Sequence, residues 1–373
     1  MNQPIKLLCL TGNLKKGGAE KRIKALSEYL NDDKILIFIG CFGKPPQSTR
    51  FNYLIDNVFH LGKRGLIPLF SLLRMVRVIY FIKPDIIFSN LGRINLLTLI
   101  LGILPIKFHG KIIIGISNHP KRFSNSLYKT LLYKHSDGVI ANSHGIKNYL
   151  CNEWGLDERN IHVIHNGLNS THITSLTEED PVFEWYKESL PIIISIGRLN
   201  PQKNHACLIK AFSIVRKSIN SRLIIIGEGR HRQDLEELVR SVGVAEDTWF
   251  AGYQYNPYKF LARSTLFVLS SKWEGFPNVI LEAMVCAVPV ISTDIDFGPR
   301  EMIDNGKTGF LVPNDDPETL ASQIQYVLEN RKGEAIKEII NNARKKVETE
   351  FSLEVMVKKY QEYFEDVYNN GYA

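Results

Sequence analysis

The chain has 373 residues, 44% hydrophobic and 23% charged, with no long low-complexity run, which excludes a disordered or fibrous protein and leaves room for two domains. Its five cysteines (Cys9, Cys41, Cys151, Cys207, Cys286) are widely spaced without a C-x-x-C pair, which points to reduced thiols in a cytosolic protein rather than to disulfides or a thiolate zinc site. Net charge is +7, but residues 1–165 hold 23 of the 46 Lys and Arg and only 10 of the 39 Asp and Glu. A basic amino-terminal half suits an acidic partner, nucleic acid or anionic membrane, unless it is only a solvated face.

The opening MNQPIKLLCL has too short an apolar run for a signal peptide and reads as a first strand. Strands are predicted at 5–10, 35–39, 85–88, 112–116, 138–141 and 162–164, with helices between them at 19–30, 69–82 and 125–134. Continuous apolar strands alternating with helices imply a parallel sheet covered on both faces. The apolar run 94–105 is too short to span a bilayer and reads as a core helix. A polar stretch, 169–188, reads as a linker; the alternation then restarts with strands at 191–197, 223–227, 266–270 and 290–293. The tail, 351–368, is a helical pattern with no strand after it, expected to pack across the domains. The prediction is therefore an α/β chain of two doubly wound domains, with sites at the carboxyl ends of strands.

Three glycine-bearing turns follow predicted strands. After the first comes T-G-N-L-K-K-G-G-A-E, where Gly17 and Gly18 open a helix and allow close backbone approach to an anion, or form a plain turn. It is not a P-loop, which needs Gly-Lys-Ser/Thr. In I-S-I-G-R-L-N-P-Q-K-N, Gly197 ends a strand while Arg198 and Lys203 flank the turn; two cations there suit a diphosphate, or are ordinary surface charges. Because both sit on a loop, their replacement is expected to leave the fold unaffected. In I-I-I-G-E-G, Gly227 and Gly229 close another strand, beside a nucleotide or as a bare turn. Finally, S-K-W-E-G-F-P-N-V-I-L-E-A places Glu274 on the loop before a helix and Glu282 about one turn inside it, with Pro277 in the first helical turn. A carboxylate beside free helix amides suits an anionic ligand rich in hydroxyls.

Taken in order, these pieces resemble the retaining glycosyltransferases of the GT-B fold that carry a paired-glutamate motif, E-x7-E. The resemblance covers nearly the whole chain, and D-F-G-P-R-E at 296–301 looks most like bacterial enzymes that build surface polysaccharide, lipopolysaccharide or capsule, on a lipid carrier. It implies two Rossmann-like domains facing a central cleft: an acceptor-binding domain at 1–168, a nucleotide-sugar-binding domain at 169–350, and a helix at 351–373 crossing back to the first. It also implies that Glu274 faces hydroxyls of the transferred sugar and Glu282 holds the nucleotide ribose. The amides of Asn278 and Val279 would meet the diphosphate, and Arg198 and Lys203 would neutralise the departing phosphate. Gly17, Gly18, Gly197, Gly227 and the Asn166-Gly167 turn complete the implied donor site, and His119 in I-G-I-S-N-H-P would face the sugar. The neighbouring Asn118 departs from the family's commoner residues.

The implied activity is transfer of a hexose or N-acetylhexosamine, with retention, from a UDP-sugar to a lipid-diphosphate-linked saccharide, without metal or other cofactor. Asp294 and Asp296 form a D-x-D pair, but downstream of the glutamate loop. The two glutamates could suggest a glycosidase pair, yet the adjoining cations call for a phosphate leaving group. Alternatives are a GT-B-fold sugar-nucleotide epimerase and a non-catalytic carbohydrate- or membrane-binding module. Segment 65–82 is nearly apolar but carries Arg74 and Arg77 and follows Lys63 and Arg64, so it reads as a helix lying on an anionic membrane or as a core helix with arginines at its edge. The expected location is the cytoplasmic face of the cell membrane, held peripherally. No nucleic-acid reader motif accompanies the basic half.

Overall fold

The computed structural model describes residues 3–12, 18–30, 33–42, 57–61, 69–103, 108–117, 133–181, 183–188 and 190–370. Gly17, Lys63, Arg64, His119 and nearly all of the helix predicted at 125–134 lie outside the described residues. The chain forms two compact units, Met1–Asn166 with Leu353–Ala373, and Gly167–Ser352.

In the first unit, β1 (Ile5–Thr11), β2 (Ile35–Cys41), β3 (Val58–His60), β4 (Ile86–Ser89), β5 (Lys111–Ile116), β6 (Gly138–Ala141) and β7 (Ile161–Val163) form a parallel sheet in the order β3-β2-β1-β4-β5-β6-β7. Leu7 to Leu10 are fully buried because both faces are covered. Alternate side chains serve opposite layers. Leu7 and Cys9 pack with Ile23 and Leu26 of α1 (Gly18–Tyr29). Leu8 and Leu10 pack with Met75 and Ile79 of α2 (Leu69–Ile82) and with Ile94 and Leu97 of α3 (Gly92–Ile103). The run predicted as a core helix is thus α3. Burial pushes the Cys9 thiol up to about 12, leaving it inert at neutral pH. After β6 comes α4 (His144–Trp154), capped by Ser143, whose hydroxyl accepts from the Ile146 amide.

The carboxyl-terminal helix Leu353–Asn370 completes the first unit's core. Tyr360 and Phe364 are fully buried, each with its ring centroid 5.7 Å from that of Phe88 on β4. Arg22 of α1 is buried and fastens this helix to the chain's exit: its guanidinium donates to the Tyr360 hydroxyl at 3.2 Å and to Asn166 Oδ1 at 2.5 Å.

The second unit repeats the scheme with β8 (Ile192–Ile196), β9 (Arg222–Ile226), β10 (Thr248–Gly252), β11 (Leu266–Leu269), β12 (Val290–Thr293) and β13 (Phe310–Val312), all parallel, in the order β10-β9-β8-β11-β12-β13. The four strands predicted from sequence are the four interior ones. β10 and β13 lie at the edges: β10 (Thr-Trp-Phe-Ala-Gly) is half-covered and of mixed polarity, and β13 (Phe-Leu-Val) is apolar but only three residues long. The stretch read as a linker, 169–188, is a correction. Asn169 caps α5 (Ser170–Thr177) by accepting from the His172 amide at 2.8 Å, and Phe183 stacks on Trp249 with ring centroids 4.0 Å apart. Capping and aromatic burial give this polar segment a fixed place in the unit.

Because Phe364 fills the first unit's core from outside its contiguous sequence, Phe364→Ala should destabilise that unit by about 3–5 kcal/mol. Urea unfolding should show the loss, and an unchanged transition would mean that the helix contributes little to the core.

Candidate functional site

The candidate site is built on the carboxyl ends of β8, β9 and β11 in the second unit. Gly197 follows β8 and donates its amide to Ile226 O at 2.9 Å, while Leu199 donates to Glu228 O at 3.0 Å, so the loops after β8 and β9 interlock. Gly227 adopts φ +144°, and a Cβ there would lie 1.9 Å from Gly197 O. Only glycine fits that approach, so packing of one loop on the other by itself requires glycine at 227.

The loop from Gly197 reaches α6 (His205–Arg216) through Gln202, Lys203 and Asn204, and the loop from Gly227 leads to α7 (Arg232–Ser241). Asn204 sits in the left-handed region at φ 50°, which asparagine tolerates. Ser270, at the end of β11, donates its hydroxyl to the carbonyls of Lys203 and Asn204 at 3.0 and 3.1 Å, and the Lys272 amide donates to Gln202 O at 2.8 Å. These contacts bring the cation loop against the Glu274 loop.

Glu274 is 7% exposed, and both its oxygens are engaged. Oε1 accepts from Lys203 Nζ and from Ser271 Oγ, each at 2.6 Å. Oε2 accepts from Gln202 Nε2 at 3.2 Å, and the same amide donates to Trp273 O at 3.0 Å. Gln202 Oε1 in turn faces Arg198 Nη2 at 3.5 Å, so Arg198, Gln202, Glu274 and Lys203 form one connected group. Arg198 is exposed, whereas the Lys203 side chain is only 13% exposed. Lys203 is therefore not a dispensable loop cation: a buried carboxylate depends on it for charge compensation. Gln202 and Ser271 escaped the sequence reading. Their only signal was position, Gln202 inside the Arg198–Lys203 motif and Ser271 three residues before Glu274.

Four residues beyond Glu274, α9 (Asn278–Val285) begins, with Pro277 at its cap and Asn278 and Val279 half-buried in its first turn. The Ile280 amide donates to Pro277 O at 3.0 Å, and the start of a helix favours negative charge. Gly298, at φ 88°, lets D-F-G-P-R-E pack under this turn, since a Cβ there would meet Pro277 at 2.6 Å and Gly275 O at 2.9 Å. Glu282 lies one turn into α9 among different partners. It accepts the hydroxyl of Tyr258, which opens α8 (Tyr258–Leu261); burial first, then the Glu282 charge, push that phenol well above its ordinary value. Burial, with Glu282 adding to it, also raises the Cys286 thiol to about 12. Asp294 of the D-x-D pair gives both oxygens to Arg300, at 2.5 and 3.2 Å, and Asp296 is exposed.

The first unit holds the other described candidates. Asn166 accepts from Arg22, and Gly18 begins α1. Arg74 and Arg77 are exposed on α2 beside Leu73, Tyr80 and Phe81, while Met75, Ile79 and Ile82 face the core. Among the described residues no helix is long and apolar enough to cross a membrane.

Residues 178–346 match the family model described as glycosyl transferases group 1, and residues 16–172 the model described as glycosyltransferase family 4. Over those residues, each match under half of the chain, the chain is similar to these two glycosyltransferase families. An uncharacterized glycosyltransferase of Methanocaldococcus jannaschii, MJ1059, is 30% identical over 246 residues, 62% of this chain and 60% of the relative. The N-acetylgalactosamine-N,N'-diacetylbacillosaminyl-diphospho-undecaprenol 4-alpha-N-acetylgalactosaminyltransferase of Campylobacter jejuni is 29% identical over 217 residues, 58% of each chain. The match thus spans about three fifths of the length of these two relatives. The amylovoran biosynthesis glycosyltransferase AmsD of Erwinia amylovora is 23% identical over 362 residues, 95% of this chain and 98% of its own. Among solved structures, Anabaena Alr3699/HepE in complex with UDP superposes with a TM-score of 0.80 at 19% identity, over 97% of this chain and 100% of that one. A glycosyltransferase from Rickettsia africae gives 0.80 at 21%, over 98% and 99%. These likenesses show the fold: two parallel-sheet Rossmann-like α/β units of the GT-B type.

If the family site rests on the buried pair, Lys203→Met should destabilise the second unit by about 3–5 kcal/mol, since it strands a buried carboxylate. Adding Glu274→Gln should recover much of that loss. A double-mutant cycle in urea checks this, and strictly additive effects would show that the two charges are not coupled.

Proposed function

We propose that this glycosyltransferase moves a hexose or N-acetylhexosamine from a UDP-sugar to a lipid-diphosphate-linked saccharide in bacterial surface polysaccharide synthesis, retaining anomeric configuration and needing no metal. The observation that carries the reading is the connected group Arg198–Gln202–Glu274–Lys203, set four residues ahead of a helix start. Cations beside a carboxylate serve opposite ends of one donor: Glu274 the sugar hydroxyls, Arg198 and Lys203 the diphosphate. As the sugar–phosphate bond breaks, charge grows on the departing phosphate, and preorganised cations and helix amides stabilise it more in the transition state than in the ground state. Lys203, a point charge on a flexible stem, can serve both Glu274 and a phosphate oxygen. Glu282, one turn inside the helix, takes the ribose alongside Tyr258.

Retention without a protein nucleophile requires the acceptor to enter on the face that the phosphate leaves. With both oxygens engaged by Lys203, Ser271 and Gln202, Glu274 is suited to holding hydroxyls rather than attacking carbon; the leaving phosphate then helps to deprotonate the acceptor. Arg198, Lys203 and the α9 amides supply the countercharge that a metal would bring, while Asp294 is spent on Arg300. The relatives bear on the substrates: the Campylobacter enzyme's name specifies a diphospho-undecaprenol acceptor, and HepE was crystallised with UDP-glucose as well as UDP.

A panel of nucleotide sugars, with and without a lipid-diphosphate saccharide, tests this. The expected result is UDP release that depends on acceptor and persists in excess EDTA. Interconversion of the sugar nucleotide without acceptor would replace the proposal with epimerisation. Loss of turnover in EDTA, restored by Mg²⁺ or Mn²⁺, would bring Asp294 and Asp296 into the site.

The acceptor's lipid places the enzyme at a membrane surface on this reading. Phe81 is 79% exposed beside Arg74 and Arg77, and each basic side chain near an anionic bilayer contributes about 1 kcal/mol. Cosedimentation with phosphatidylglycerol liposomes should be strong at low salt and weak at high salt. Arg74→Gln with Arg77→Gln should reduce it while sparing UDP affinity. Equal sedimentation of wild type and variant would make α2 a core helix only.

A further inference from the structure

We infer that Gln202 is a positioning residue of the donor site, holding Glu274 and Arg198 in fixed relation. The inference rests on the donor reading above and assigns a role to a side chain that the family motif leaves without one. The residue is 8% exposed, and its amide is used from both ends: Nε2 donates to Glu274 Oε2 at 3.2 Å and to Trp273 O at 3.0 Å, while Oε1 faces Arg198 Nη2 at 3.5 Å. The amide cannot turn over without setting its NH₂ against the guanidinium and its oxygen against the carboxylate, so its two charged neighbours fix its orientation.

A bifunctional neutral group is what this place demands. A carboxylate at position 202 would suit Arg198 but repel Glu274; a cation would suit Glu274 but repel Arg198. An apolar side chain would leave Glu274 Oε2 buried without a donor. Glutamine joins a carboxylate to a guanidinium without changing the site's charge. Ser271 finishes the orientation from the other side by donating to Oε1 at 2.6 Å, and is itself held where Thr293 Oγ1 donates to Ser271 O at 2.6 Å. Through these contacts the carboxylate that meets the sugar and the guanidinium that meets the diphosphate share one rigid reference. Misplacing either by about 1 Å is enough to cost up to 10²-fold in rate.

A purely structural role is distinguishable. Gln202 also ties the two loops through its backbone carbonyl, which accepts the Lys272 amide at 2.8 Å, and that contact survives any change of side chain. The isosteric Gln202→Met should therefore leave UDP affinity within about threefold of wild type by calorimetry, yet lower kcat with the preferred UDP-sugar about tenfold or more and narrow the preference between UDP-glucose and UDP-galactose. Gln202→Glu, which keeps the acceptor for Arg198 but loses the donor to Glu274, should also lose kcat. Wild-type kcat in Gln202→Met, or losses of kcat, UDP affinity and thermal midpoint in proportion, would overturn the inference while leaving the donor reading intact. A wild type that neither binds UDP nor turns over any nucleotide sugar would overturn both.

Discussion

A carboxylate removed from water must be compensated, and that requirement organises the second unit around Glu274. An isolated buried charge costs several kcal/mol, so the structure surrounds this one with a lysine, a hydroxyl and an amide drawn from two loops. To deliver them, the loop after β8 has to meet the loop after β11, which Ser270 secures by bonding the carbonyls of Lys203 and Asn204. The interlocked glycine turn at Gly227 and the close packing at Gly298 support the two loops from beneath. The site's polarity thus follows from one buried anion and the backbone geometry needed to reach it.

Parallel α/β sheets write their interior strands plainly, because a strand covered on both faces must be apolar throughout. Hence Ile192–Ile196, Leu266–Leu269 and Val290–Thr293 were legible, as were α2 and α3 with their buried stripes. What escaped was set by tertiary context. β10, Thr-Trp-Phe-Ala-Gly, and the three-residue β13 are edges with one side open. The segment 169–188 looks like a linker by polarity, and its place comes from an asparagine cap and from aromatics meeting Trp249 far along the chain.

The candidate site was legible in its residue types but not in its pairings. Arg198, Lys203, Glu274 and Glu282 stood out by motif, and spacing placed them on strand ends and at a helix start. That Lys203 closes on Glu274 across 71 positions, that Gln202 bridges the group, and that Tyr258 donates to Glu282 are facts of packing that no local pattern encodes. Gly227 is likewise required by packing that no local pattern encodes, since a Cβ there would meet the neighbouring loop's carbonyl.

The two glutamates have distinct surroundings, one among donors and cations, the other against a phenol and a thiol. The most direct measurement is a crystal structure of the enzyme soaked with UDP. The account predicts the diphosphate at the amides of Asn278 and Val279 with Arg198 and Lys203 in reach, and the ribose hydroxyls on Glu282. A nucleotide bound away from the carboxyl ends of β8 and β11, with the Lys203–Glu274 group untouched, would contradict it.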